Sequence, residues 1–428
     1  MGQTQAKAQP CASPGDGGQV RPEGGAGPRH GDAATCETAP LGIYGKYSAT
    51  SQAQRREKYI LQSAARKLRQ GFPVTRCLRW AIPKSHISIL HYPEFGKAGY
   101  GGLETCGSVW ECPVCASKIS ERRRVEVQSA MATHKAQGGQ VLLLTLTNAH
   151  RMGDDLPSML AAQAKAIDGF RKNRAGRRFF DSIGTVGTIR ALEVTHGQNG
   201  WHPHFHILLF VSHSVDMAKA YRSAYAVWAA ECMKAGLGIP SFKHGVSLQD
   251  GSHAEKYVSK WGLENEITKG HIKKAKAGGR GPFDLLRSYT DGDKQAGALF
   301  VQYATHFKGK RQLVWSHGLK AKFAIEEASD LELAEREEER ATVGMEISRD
   351  DWKIIISYDV RAEILEAYEN LGPFEAAHCI AILRGDVPTV GQSLAGSQVL
   401  TDTAEWMNWT PERRAEFALW LEEQSVCH

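Results

Sequence analysis

Residues 188–211 read Thr-Ile-Arg-Ala-Leu-Glu-Val-Thr-His-Gly-Gln-Asn-Gly-Trp-His-Pro-His-Phe-His-Ile-Leu-Leu-Phe-Val. They hold the side chains of this chain best suited to gripping a divalent cation. Alternate residues of a strand share a face, so His202, His204 and His206 point one way and Phe205 the other. The cluster Gly197-Gln198-Asn199-Gly200 suits a tight reversal, which makes the stretch a β-hairpin. A turn centred between Gln198 and Asn199 sets Glu193 directly opposite His204. One carboxylate and two or three imidazoles then meet on one face, a set that suits a divalent metal. A lone histidine in a strand is more often a half-buried residue with a satisfied hydrogen bond. Three on one face opposite a glutamate, at the rim of the apolar run Ile207–Val211, argue for ligation.

A second constellation is made of cysteine. Cys112-Pro-Val-Cys115 is preceded by Cys106, and Cys77 stands further upstream. Zinc takes four nitrogen or sulfur ligands in a tetrahedron, and two thiolates two residues apart can share it on a tight turn. Cys106, Cys112 and Cys115 supply three ligands, with Cys77 as the expected fourth and His91 the alternative. A redox pair is the competing reading, but nothing nearby resembles its usual βαβ setting. Reduced thiols with no metal are the plain alternative.

Composition narrows the classes. The chain has 428 residues, 42% hydrophobic and 23% charged, ordinary for a globular protein of two or three domains. No apolar run approaches the ~20 residues of a membrane span, and the start of the chain lacks a secretory apolar segment. Nine cysteines, an odd number, suit a reducing compartment and hence a cytoplasmic setting. Basic residues exceed acidic ones by about 20 over residues 1–320, and fall short by about 14 over 321–428. The basic part suggests a nucleic-acid partner, which the acidic end would repel.

Periodicity supplies the elements that must position these groups. Residues 1–48, rich in Gly, Ala and Pro, are expected to be disordered, with Cys11 and Cys36 free. Residues 49–135 form a basic helix and the cysteine region, ending in a helix that carries Arg122, Arg123 and Arg124 as candidate DNA-backbone contacts. Residues 136–323 read as strand, helix, hairpin, helix, short strand and further helices: an α+β domain with an antiparallel sheet flanked by helices. Helices are expected over 153–175, Ser214–Gly236 and Ser252–Trp261. On the last, Tyr257 shares a face with His253 and Lys260, whereas Glu255 points elsewhere. Lys273 and Lys274 in a Lys/Gly-rich loop, and Lys310 and Arg311 in a basic turn before a strand, are further candidate DNA contacts. Residues 324–428 read as an acidic, mostly helical accessory region with a strand over Trp352–Ser357 and a last helix holding Phe417 and Trp420.

Taken together, Leu144-Thr-Leu-Thr-Asn148, Glu193-Val-Thr with His202-Pro-His-Phe-His206, and Glu255-Lys-Tyr-Val-Ser-Lys260 resemble, in order, the three motifs of plasmid rolling-circle replication initiators (Rep proteins). These belong to the His-hydrophobe-His (HUH) endonuclease superfamily. The upstream cysteines and Gly309–Leu319 resemble family members as well, so the likeness spans about residues 70–320. The resemblance implies a five-stranded antiparallel sheet flanked by helices. It implies Mg²⁺ or Mn²⁺ on His204, His206 and Glu193, with His202 in support, and structural Zn²⁺ on the cysteines. Tyr257 would be the nucleophile that nicks one strand at a double-strand origin, leaving a 5′-phosphotyrosine and a free 3′-OH, and Lys260 would hold the metal region or the scissile phosphate. Family members with a single tyrosine often carry a glutamate four residues before it. Here that position is His253 and the glutamate is Glu255, so either could serve as the base that ends a round. Origin DNA is the implied partner, with a host helicase or a second copy as further candidates for the acidic region. Competing readings are a relaxase or single-strand transposase with the same site, and a non-catalytic zinc-containing repressor.

Overall fold

The computed structural model describes residues 49–93, 96–259, 279–335 and 341–386. The expectations for residues 1–48, Lys260, Lys273, Lys274, Phe417 and Trp420 lie outside them. Helix α1 (Ala49–Leu68) leads to strands β1 (Ile87–Tyr92) and β2 (Lys97–Gly101), then to helix α2 (Pro113–Ala136) and strand β3 (Gln140–Thr147). Helices α3 (Leu156–Lys172) and α4 (Arg174–Ser182) precede the hairpin β4 (Thr185–Gly197) and β5 (Gly200–Val211). Next come α5 (Met217–Lys234), β6 (Val246–Gln249), α6 (Gly251–Ser259), α7 (Pro282–Thr290), α8 (Lys294–Phe307) and β7 (Leu313–Trp315). The chain continues through α9 (Leu319–Lys322), α10 (Asp330–Glu335), β8 (Thr342–Ile347), α11 (Arg349–Tyr358), α12 (Arg361–Leu371) and α13 (Pro373–Arg384).

Five strands form one antiparallel sheet in the order β6-β3-β5-β4-β7. Strand alternation sorts its side chains onto two covered faces. Leu142, Leu144, Leu146, Phe205, Ile207 and Leu209 pack under α3, α4 and α5, around Phe170 and Trp228. Val141, Leu143, Ile189, Ala191, Leu208 and Phe210 face α2, α6 and α9. Covering both faces is why β5 ends in an unbroken apolar run rather than an alternating one.

The helices start where short polar side chains can cap them. Asp155 accepts from the Ser158 N–H, Asp216 from Lys219 and Asp293 from Ala296. The stretch expected as one helix over 153–175 is two, because Asn173 ends α3 and caps α4 by accepting from the Gly176 N–H at 2.6 Å. The strand expected over Trp352–Ser357 is instead helix α11. Ser348 caps it by accepting from the Asp351 N–H, and Trp352 and Ile355, three apart, are the buried pair. Three consecutive isoleucines mimic a strand, but the cap and the threefold spacing decide.

A second sheet, β2-β1-β8, joins the two ends of the described chain. β8 pairs with β1 antiparallel, matching Ile87 with Ile347. Around it, α12 packs on α1, and the acidic residues of the C-terminal part meet the basic first helix: Arg55 pairs with Glu369 and Arg56 with Glu366. Much of the charge asymmetry of this region is therefore consumed inside the molecule. Among the described residues no helix is long and apolar enough to cross a membrane.

Candidate metal centres and nucleic-acid interface

Gly200 takes a positive φ of 80° and closes the turn, with Gly197 paired to Gly200. Counting back from that turn, Glu193 pairs with His204 and Ala191 with His206. Strand β3 lies on the other side of β5 and sets Thr145 beside His206 and Thr147 beside His204. The Nε2 atoms of His204 and His206 stand 3.6 and 3.5 Å from Glu193 Oε2. Ligands about 2.1 Å from an octahedral ion lie roughly 3.0 Å apart when cis and 4.2 Å when trans, so the spacing suits one ion shared by all three. His206 Nδ1 is 2.9 Å from Thr145 Oγ1 and His204 Nδ1 is 3.2 Å from the His202 carbonyl. Both rings thus spend Nδ1 on the protein and turn Nε2 to the shared point. Gln163 holds the strand from beneath, donating to the Pro203 carbonyl at 2.7 Å.

The charges fit this reading. Burial would raise Glu193, but hydrogen bonds from His204 and His206 and their charge outweigh it and hold the carboxyl well below its usual range. Burial would lower His204, but Glu193 more than compensates and lifts it. A negative carboxylate with two imidazoles closing on it is the charge pattern that a cation would take over. His202 stands apart. It stacks on His150 at 4.5 Å between centroids, and burial, His204 and His150 push it down to about 4, so it is neutral at neutral pH. His202 does not join the ligand group of Glu193, His204 and His206.

Helix α6 delivers Tyr257 to the same point. Its hydroxyl donates to Glu193 Oε1 at 2.5 Å, and its ring lies 4.4 Å from the His206 ring. His253 sits at the exposed start of α6, with Nδ1 3.1 Å from Asp250 Oδ1. Glu255 is exposed and pairs with Lys135. Neither belongs to the ligand group.

The four cysteines converge although Cys77 is far from the others in sequence. Cys77 Sγ is 3.7 Å from Cys112 Sγ and 3.5 Å from Cys115 Sγ, and Cys106 Sγ is 3.6 Å from Cys115 Sγ. Zn–S bonds of about 2.3 Å in a tetrahedron put sulfurs roughly 3.8 Å apart, so the cluster is sized for that ion. His91 lies on β1 against Tyr368 instead. Gly107 shapes the ligand loop: φ is +57°, and a Cβ there would meet Leu331 Cα at 2.9 Å. Cys112 immediately precedes α2, with Pro113 in its first turn, so Cys112 and Cys115 sit at the positive end of a helix.

Sequence reasoning missed what stands behind this cluster. Gln62 donates to Cys112 Sγ at 3.2 Å, and Arg361 donates to Gln62 Oε1 at 2.8 Å. The fully buried Arg361 also donates to the Leu78 carbonyl and lies over the Tyr59 ring at 4.5 Å. Two residues from opposite ends of the described chain thus brace a ligand of the cluster, and no local motif announces either.

The basic candidates divide in the same way. Arg122 donates to the Leu333 carbonyl, Arg123 pairs with Asp330 and Arg124 with Glu121. Arg123 and Arg124 are buried, so the protein itself uses those guanidinia. Lys310 and Arg311 form no ion pair among the described residues, and Trp110 Nε1 anchors their turn by donating to the Lys310 carbonyl at 2.7 Å.

A family model described as "Replication protein" matches residues 103–364, which include three of the four cysteines, the hairpin and Tyr257. The chain belongs to this replication protein family, that of the plasmid replication initiators. A "Protein rep" of Streptomyces lividans is 26% identical over 346 residues, covering 63% of this chain and 76% of that one. A "Neomycin resistance protein" of Streptomyces cyanogenus is 33% identical over 27% of this chain and 32% of its own length. A "Protein rep" of Bacillus amyloliquefaciens is 31% identical over 29% of this chain and 36% of its own. No solved structure matches.

Proposed function

We propose that this protein initiates rolling-circle replication of a plasmid as an HUH endonuclease, nicking one strand at the origin with Tyr257. The observation that carries the reading is the hydrogen bond from the Tyr257 hydroxyl to Glu193, the carboxylate that also faces His204 and His206. A nucleophilic phenol, a proton acceptor and a metal-ligand set thereby meet at one point. A divalent ion there, Mg²⁺ or Mn²⁺, would neutralise charge on the non-bridging oxygens of the scissile phosphate. Tyr257 Oη attacks phosphorus and its proton passes to Glu193 or to water. A phosphorus–oxygen bond to tyrosine forms as the bond to the 3′-oxygen breaks. That oxygen takes a proton from water and leaves as a 3′-OH primer, with the 5′-phosphate on Tyr257. The four cysteines would hold Zn²⁺ in a structural role.

Purified protein is expected to nick a supercoiled plasmid bearing its origin when Mn²⁺ or Mg²⁺ is added, and Tyr257→Phe to lose that nicking by at least on the order of 10³-fold. Origin binding without nicking in either metal would favour a repressor. Undiminished nicking by the phenylalanine variant would remove Tyr257 from the chemistry.

A further inference from the structure

The face of the sheet away from His204, His206 and Glu193 carries a cleft of about 620 Å³ between α3 and the strands β4 and β7. On β4, Arg190 and Leu192 alternate with Ala191 and Glu193, so the cleft and the metal group are on opposite sides of one strand. Its floor is apolar, built by Leu192, Phe205 and Val314. Its walls carry five cations: Lys165 and Arg171 from α3, Arg190 from β4, and Lys310 and Arg311 from the turn before β7. The acid lining it, Asp168, is paired with Lys172.

None of these five cations forms an ion pair among the described residues, whereas Arg55, Arg56, Arg69, Arg123, Arg124 and Arg287 all do. Arg190 is half-buried with its guanidinium 5.2 Å from the Phe205 ring centroid. Arg171, Arg190 and Lys310 are half-buried without an ion-pair partner, which is costly, and with the exposed Lys165 and Arg311 they make a cationic rim that invites an anion from outside. The volume falls in the range of roughly 300–1,000 Å³ that encloses compact ligands, which is the size of one or two nucleotides. An apolar floor below a cationic rim suits unpaired bases, whose rings lie on the floor while phosphates meet the rim. A duplex keeps its bases stacked and could offer the rim only phosphates. A single phosphate would engage only part of a cation row that runs from α3 across β4 to the β7 turn.

We propose that this cleft is a second single-stranded DNA site, which holds unpaired strand on the far side of the sheet from the nicking centre. The choice of DNA rests on the replication reading, but not on nicking. The test is titration of labelled oligothymidylate with the full-length protein at several salt concentrations, without divalent metal so that nicking plays no part. Each phosphate contact on a single strand contributes about −0.7 to the slope of log affinity against log salt. Lys165→Gln with Arg171→Gln and Arg311→Gln is expected to flatten that slope by about 2 and to weaken binding at least tenfold. The exposed pair Lys165→Gln with Arg311→Gln, which leaves half-buried groups alone, should flatten it by about 1.4. Wild-type slope and affinity in both variants would overturn the proposal. So would an equal loss for a duplex of the same length, or displacement of the oligonucleotide by thymidine monophosphate at matched concentration. If the protein never nicks but the cleft variants lose oligothymidylate, the proposal stands and the nicking reading falls.

Discussion

At one centre two imidazoles and a carboxylate, all half-buried, meet on a sheet surface. At the other, four thiols gather under α1 and α2, and Cys77, Cys112 and Cys115 are buried. With an ion bound, the first would offer three donors and leave coordination positions for substrate, the arrangement expected of a working ion. The second would offer four soft donors, a full tetrahedral set, the arrangement expected of an ion that ties chain together. Their support differs too. The His/Glu group is set by one hairpin register and its neighbour β3, so it is almost entirely local. The cysteine group joins Cys77 to Cys115, and through Gln62 it leans on Arg361 in the C-terminal part. Under the proposed function, the group that would turn over is half-buried on a sheet, and the group that would hold is buried where distant segments meet.

The sharpest way to break this contrast is to damage each centre and compare stability. Cys112→Ser should abolish zinc binding and lower thermal stability by several kcal/mol, since structural zinc supplies on the order of 10 kcal/mol in small zinc domains. His206→Ala should abolish catalytic-metal binding yet change stability by only about 1 kcal/mol, the scale of one lost hydrogen bond. Calorimetry of both variants checks this, and equal losses would erase the distinction. Next in size, Glu193→Gln should weaken Mn²⁺ binding by more than the roughly 10- to 100-fold that follows loss of an outer hydrogen-bond partner, because it removes a charged ligand. Titration calorimetry with Mn²⁺ reads it. Gln62→Leu should weaken zinc within that 10- to 100-fold range while the metal is still bound, measured by competition with a chromogenic chelator. The smallest effect is chemical. Burial pushes Cys232 and Cys379 up to about 12, so both remain protonated and inert to iodoacetamide near pH 8. Stripping zinc should make Cys77, Cys106, Cys112 and Cys115 reactive while those two stay unmodified, which peptide mass mapping resolves.

The hairpin was legible because its information is local. Gly197 to Gly200 sets the turn, period-two alternation sets the face, and together they match Glu193 with His204. The spacing of Cys106, Cys112 and Cys115 was legible for the same reason, whereas Cys77, preferred over His91, had only its residue type to name it. The β2-β1-β8 sheet was not foreseen. Its strands pair Ile87 with Ile347 across most of the chain, and nothing local in either strand names its partner. Arg361 was invisible because its use depends on burial beside Gln62, a property of packing rather than of sequence pattern. The basic run Arg122–Arg124 looked like a DNA contact, yet Asp330 and Glu121 occupy Arg123 and Arg124. Glu121 lies one turn away on the same helix, but nothing in the run reveals that Asp330 folds back onto Arg123.

The central claim is that Tyr257 is the nucleophile at the His204–His206–Glu193 centre. It is tested most directly by trapping the protein–DNA adduct on an origin oligonucleotide and mapping the modified peptide by mass spectrometry. The account predicts a nucleotide attached to Tyr257, on the tryptic peptide bounded by Lys256 and Lys260. An adduct on any other residue, or nicking that yields a free 5′-phosphate and no adduct, would contradict it.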